Sequence, residues 1–283
     1  MNWAFPMQRF QDWLTQQWVI IWGRKINPEE YKWLIGPFGE LNGIGEDFIH
    51  QLAKKENLIV ERNSESRGLL SSIKTLHLPE KEADKLSAEV IDFYEQTAKY
   101  KLRLYVKWNP FFKLFGFLVN RLFSRRINQL NIPTGNTNEE DITSEIVELI
   151  SPLDNEVKYT IWLRKFGSTG EVIYSGIYGT CRLASGKTCI KAIFPLPKGN
   201  ATILMKPGVG LKNELILDSS GQRFGDAGFY FLLNDSKGNF WAQYISSFTD
   251  QIIVRKKEES LIANQTLKLW NLNVAKFNYI IYK

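Results

Sequence analysis

Asn-Pro-Phe-Phe-Lys-Leu-Phe-Gly-Phe-Leu-Val-Asn-Arg-Leu-Phe-Ser-Arg-Arg, residues 109–126, divides a chain that reads as helix before it and as strand after it. Asn109 supplies a side-chain acceptor for a helix start, and Pro110 fits the first helical position, where a missing N–H costs nothing. On a 3.6-residue wheel Phe111, Phe115, Leu118 and Leu122 form a central apolar stripe. Phe112, Leu114, Val119 and Phe123 flank it, and only Lys113, Asn120, Arg121 and Ser124 make a polar wedge. An arc that wide has to lie against a neighbouring β structure, a membrane or a partner. Arg125 and Arg126 fall in the last turn, where cations complement the helix dipole.

Upstream, Phe10, Trp13, Leu14, Trp18, Ile21 and Trp22 recur at helical spacing, giving a first helix over Pro6–Trp22 with Gly23 as its stop. Five of the nine Trp precede residue 34, a distribution that suits either a packed core or a membrane interface. Further helices are expected at Pro28–Ile35, Glu46–Glu56 and Glu80–Thr97, while Lys101–Lys107 alternates as a strand that could join a later sheet. The glycines at 36, 39, 43 and 45 match neither phosphate-binding nor dinucleotide spacing and read as a loop.

Downstream of a linker at Pro133–Glu140, roughly ten or eleven short strands follow, joined by hairpin-sized connectors without a crossover helix. The expected fold is therefore α+β: a helical N-terminal half, 1–133, packed against a C-terminal antiparallel β-barrel or β-sandwich, 139–283, of about ten strands. The two could form one integrated unit through the strand near 101–107. In Val157–Phe166 one face carries Val157, Tyr159, Ile161 and Leu163, the other Lys158, Thr160, Trp162 and Arg164. Several strands keep an aromatic on both faces, so part of the outer surface should be covered. The helix at Phe111–Arg126 is the expected cover.

Charge and composition narrow the function classes. The net charge is +6, and no Asp or Glu occurs between Gln96 and Asn138, a window holding eight Lys and Arg. That window permits contact with an anionic ligand or lipid headgroup, but its aromatics are spaced for helix burial and no nucleic-acid recognition motif is legible. His50 and His77 have no second His or Cys at ligand spacing, so no metal centre is expected, and no cofactor-binding pattern is present. No Gly-x-Ser-x-Gly elbow marks a nucleophile, and the catalytic residues, if any, are not legible. Two cysteines, no signal peptide and no run of 18 apolar residues point to a cytoplasmic protein, with peripheral membrane contact open. Cys181 and Cys189 should oppose each other across a hairpin if Ala184-Ser185-Gly186 is a turn ending in a left-handed glycine.

The leading functional expectation is binding of a hydrophobic or amphipathic, lipid-like small ligand in a barrel cavity. Arg121, Arg125 and Arg126 would meet an anionic headgroup, and Asp226, Tyr230 and Tyr244 would supply polar contacts at the rim. Two alternatives stand beside it. One is a cofactor-free enzyme using the same cavity, with Asp226, Tyr230 and Tyr244 as acid/base groups. The other is a structural or protein-interaction domain whose barrel is filled by its own side chains.

Overall fold

The computed structural model describes residue 4 and residues 9–41, 44–62, 67–119, 127–129, 131–133 and 139–283. In chain order these hold α1 (Phe10–Trp22), β1 (Arg24–Ile26), α2 (Asp47–Glu56), β2 (Ile59–Glu61), α3 (Glu80–Ala83), α4 (Ala88–Glu95), β3 (Lys101–Trp108) and α5 (Pro110–Val119). The strands β4 (Glu140–Ile150), β5 (Val157–Phe166), β6 (Val172–Arg182), β7 (Thr188–Leu196) and β8 (Gly199–Val209) follow. The chain continues with β9 (Leu215–Asp218), β10 (Gly228–Asn234), β11 (Phe240–Tyr244), β12 (Phe248–Lys257), β13 (Ser260–Leu269) and β14 (Leu272–Tyr282).

Ten of these strands close into an antiparallel barrel in the order β3-β4-β5-β6-β7-β8-β9-β12-β13-β14, with β14 pairing back to β3. Closure removes the edges that an open sheet would expose. The strand expected near 101–107 is thus a stave of the barrel, set between β4 and β14. The fold is more β than the sequence reading supposed, because β1 and β2, besides the expected β3, come from the part read as mainly helical.

One strand divides its edge between two partners. The first half of β8, Gly199–Leu204, pairs with β10, and its second half, Lys206–Val209, pairs with β9. From that fork β10, β11 and β1 leave the barrel as a flap, with a small core of their own that includes Leu34, Cys189, Leu204, Tyr230, Leu232 and Ala242. Cys181 and Cys189 stand opposite each other in the β6–β7 ladder as free thiols. Gly186 supplies the left-handed residue of their turn at φ 81°, as the sequence required.

Several local expectations are corrected. Pro28–Ile35 forms successive turns, begun by Asn27, whose side chain accepts from the Glu29 N–H, and Gly36-Pro37 follows at once. The helix expected over Glu80–Thr97 is broken into α3 and α4, because the Ser87 side chain accepts from the Val90 N–H and starts a new helix. Of the helix expected over Phe111–Arg126, the described part, α5, meets one end of the barrel through Gly116 and is not the cover of its outer wall. That role falls to α2, whose Phe48, Ile49, Leu52 and Ala53 pack on the outer faces of β4 to β7 through Val147, Leu149, Ile161, Leu163, Ile177 and Ile193. The face of β5 that looks most like a core face, with Ile161 and Leu163, therefore points outward to α2. Trp162 and Arg164 point into the barrel.

Candidate functional site

The barrel is not filled by its own side chains. Its lumen holds a cavity of about 360 Å³ lined mainly by aliphatic and aromatic residues, among them Ile190, Phe194, Ile203, Met205, Val254 and Ile281. Helical segments cover the two ends. On the side where β3 begins, Leu69, Leu70 and the α4 residues Phe93 and Tyr94 line the cavity beside Leu102. Where β3 ends, Trp108, Gly116 of α5, Ile132 and Val274 line it.

The α5 end is built from a short polar relay. Asn109 Oδ1 accepts from the Phe111 N–H, as expected of an N-cap, and its Nδ2 donates to the Asn273 carbonyl at 2.9 Å. This ties the helix start to the β13–β14 turn. The indole N–H of Trp108 donates to the Pro133 carbonyl at 2.6 Å. Phe112 is buried, whereas Phe111 and Leu114 are 80% and 68% exposed.

A compact set of polar side chains faces this apolar space. Arg164 sits opposite Tyr174 in the β5–β6 ladder, and its guanidinium carbon lies 4.5 Å from the centre of the Tyr174 ring. Its Nη2 donates to the Tyr178 hydroxyl at 2.9 Å. From the other wall come Asp250 of β12, Gln265 of β13 and Tyr279 of β14. Gln265 Nε2 donates to Asp250 Oδ2 at 2.7 Å, and Ser219 Oγ accepts from the Asp250 N–H. Arg164 Nε and Asp250 Oδ1 have no hydrogen-bond partner, and the Tyr279 hydroxyl oxygen, which makes no bond of ordinary geometry, lies against Arg164.

Burial sets the titration of this group. It pushes the Asp250 carboxyl up to about 7, opposed by the Gln265 hydrogen bond and assisted by the charge of Asp218. The Tyr279 phenol is pushed up to about 12 by burial, with the positive charge of Arg164 acting against it. Tyr174 and Tyr178 are likewise raised by burial, so all three phenols remain protonated donors in neutral solution.

Asp226, Tyr230 and Tyr244 come together, but on the flap. Tyr230 donates its hydroxyl to the Asp226 carbonyl at 2.6 Å, accepts from the Gly225 N–H, and packs 5.0 Å from the Tyr244 ring. The Asp226 carboxylate accepts from the Gln222 and Arg223 N–H groups in a tight turn. None of the three lines the barrel cavity. Arg121, Arg125 and Arg126 lie outside the described residues. The residues that do converge, Arg164, Tyr174, Tyr178, Asp250, Gln265 and Tyr279, were not singled out by motif. The only sequence signal for them was the mixed face of Val157–Phe166, where Trp162 and Arg164 stand two positions apart.

No family model matches the chain, and no solved structure matches it. Over 189 residues, 66% of its length, it is 29% identical to the Bacillus subtilis protein described as uncharacterized membrane protein YndJ. The match covers 33% of that longer protein. Among the described residues of this chain, no helix is long and apolar enough to cross a membrane.

Proposed function

We propose that the protein binds a hydrophobic or amphipathic, lipid-like small molecule inside the barrel, and does so at the surface of an anionic membrane. The observation that carries the binding reading is the closed barrel with an open apolar interior. A cavity of about 360 Å³ lies within the range of small-molecule sites, and a few convergent polar groups in an apolar wall are what such sites use to orient a ligand.

The membrane reading is supported by two outward-facing apolar helices. The buried residues of α1 are Asp12, Gln16 and Val19, while Phe10, Leu14, Ile21 and Trp22 are exposed on the far face. An amphipathic helix laid on a protein core does the opposite. Arg9, Arg24 and Lys25 flank that stripe and are exposed. On the barrel, Phe111, Leu114 and Phe117 of α5 are exposed, as are Trp270 and Leu272 at the turn to which Asn109 ties the helix start. Beside them Lys107 and Lys276 face each other directly across neighbouring strands. Like charges so placed repel, and an anionic surface relieves the repulsion. Residues 260–283 contain no Asp or Glu, so the face made by β3, β14 and α5 carries cations with little acid among them. The description of the matched relative as a membrane protein agrees with this placement.

The binding reading is tested with N-phenyl-1-naphthylamine, a neutral apolar dye that brightens on leaving water. One saturable site per chain is expected, lost in Ala201→Phe, which places a ring in the cavity. Absence of saturable binding, or unchanged binding in the filled variant, contradicts it.

A further inference from the structure

We infer that the ligand's head group is a carboxylate, received by Arg164 and Tyr279 inside the barrel, an inference that rests on the binding reading above. It begins with a charge that lacks a counter-ion. Arg164 is only 7% exposed, yet among the described residues no carboxylate pairs with it. Its contacts are the faces of Trp162 and Tyr174 and the phenol oxygens of Tyr178 and Tyr279, all of them neutral, and its Nε–H has no well-formed hydrogen bond. A guanidinium does not give up its proton inside a protein, so the charge persists in apolar surroundings where an unpaired ion is strongly disfavoured.

The opposite wall supplies an independent observation. The Tyr279 hydroxyl and Asp250 Oδ1 belong to side chains more than nine-tenths buried and line the same cavity; Asp250 Oδ1 has no partner, and the Tyr279 oxygen lies against Arg164 with its own proton free to be donated. The N–H of Arg164 and the O–H of Tyr279 are both donors. One negatively charged acceptor satisfies the two together. Burial raises the Asp250 carboxyl to about 7, so below that pH its proton is a further donor in the same space.

The number of charges selects the class of anion. Among the described residues lining the cavity, Arg164 is the only Lys or Arg. A phosphate dianion would bring two negative charges to a single guanidinium. A planar monoanion meets a guanidinium edge and a hydroxyl with its charge balanced. The rest of the lining is apolar, so the remainder of the ligand is a hydrocarbon body.

The test uses three molecules sharing one tail: decanoate, 1-decanol and decylamine, titrated calorimetrically into the full chain at pH 6.5. The wild type is expected to bind decanoate at least about tenfold more tightly than decanol, with decylamine weakest, as a charge-assisted hydrogen bond implies. Arg164→Met should bring decanoate to within about twofold of decanol. Tyr279→Phe, a milder change, should weaken decanoate alone by about threefold to tenfold. A wild type that prefers decanol or decylamine, or retention of the decanoate preference in both variants, overturns the carboxylate inference and leaves the cavity reading standing. If none of the three binds, the cavity reading fails for this ligand class and the inference falls with it.

Discussion

The Arg164 guanidinium carbon lies 4.0 Å from the centre of the Trp162 ring, two positions earlier on the same strand. With Tyr174 on its other side, the cation is held between aromatic faces and cannot reach solvent. Each such contact contributes roughly 0.5–2 kcal/mol, less than the desolvation penalty of a buried ion, which is several kcal/mol. On the proposed binding reading, Arg164 serves the ligand at the expense of stability. Arg164→Met should leave the unfolding free energy within about 1 kcal/mol of the wild type or raise it. Urea denaturation measures this directly. A loss above roughly 3 kcal/mol would assign Arg164 a structural role instead.

Asp250 gives the barrel a pH signature. Folded, its carboxyl titrates near 7, against an ordinary value of 3.8. Between those values the folded chain holds a proton that the unfolded chain has released. Stability therefore falls as pH rises through that window, and the penalty is complete above it. Asp250→Asn removes the penalty. The variant should exceed the wild type by on the order of 2–4 kcal/mol at pH 8, with the difference vanishing near pH 4. Denaturant curves at the two pH values check it, and a difference independent of pH would contradict it.

Gly116 sets how closely α5 closes the cavity. A Cβ at this position would lie 2.6 Å from the Trp108 ring. Ala favours a helix over Gly by up to about 1 kcal/mol. The clash outweighs that gain, since overpacking costs roughly 1–3 kcal/mol. Gly116→Ala should displace α5 or turn Trp108 away from the Pro133 carbonyl. Stopped-flow exchange of N-phenyl-1-naphthylamine should then be faster than in the wild type. An unchanged exchange rate would show that the α5 end is not the route of entry.

Tyr230 anchors the flap. Its hydroxyl is fully engaged with Gly225 and Asp226, and its ring has no exposed surface. Tyr230→Phe leaves a half-buried N–H and a half-buried carbonyl without that partner and should cost about 0.5–1.5 kcal/mol of stability by thermal or urea unfolding. A neutral effect would mean that water replaces the hydroxyl at no cost.

The membrane face is tested by changing charge without changing apolar area. Lys107→Gln, Lys268→Gln and Lys276→Gln together should weaken binding to phosphatidylglycerol vesicles by about 1 kcal/mol per cation, and the loss should shrink as salt is raised. Equal sedimentation with vesicles for the triple variant and the wild type would contradict the placement.

The strands were legible because each obeys a two-residue alternation and each connector is too short for anything but an antiparallel return. The in-register pairing of Cys181 with Cys189 followed from three turn residues alone. What alternation does not reveal is which face of a strand looks inward when both are covered. In β5 the purely aliphatic face meets α2, and the face with Trp162 and Arg164 meets the lumen. A hydrophobicity count chooses wrongly there, because the lumen wall carries the polar groups. The break at Ser87 was readable as an N-cap but was hidden by the continuous apolar spacing of Leu86, Val90, Phe93 and Tyr94. Arg164, Asp250 and Tyr279 share no local motif. They meet only because closure brings β5 opposite β12 and β14.

Native mass spectrometry of the protein purified gently from cells, beside Ala201→Phe prepared in the same way, tests the central claim most directly. The account expects the wild type to carry a stoichiometric small-molecule adduct that organic solvent extracts and that ionises as a carboxylate, and the filled variant to carry none. A bare chain mass for both proteins, repeated after incubation with cellular lipid extract, would contradict it.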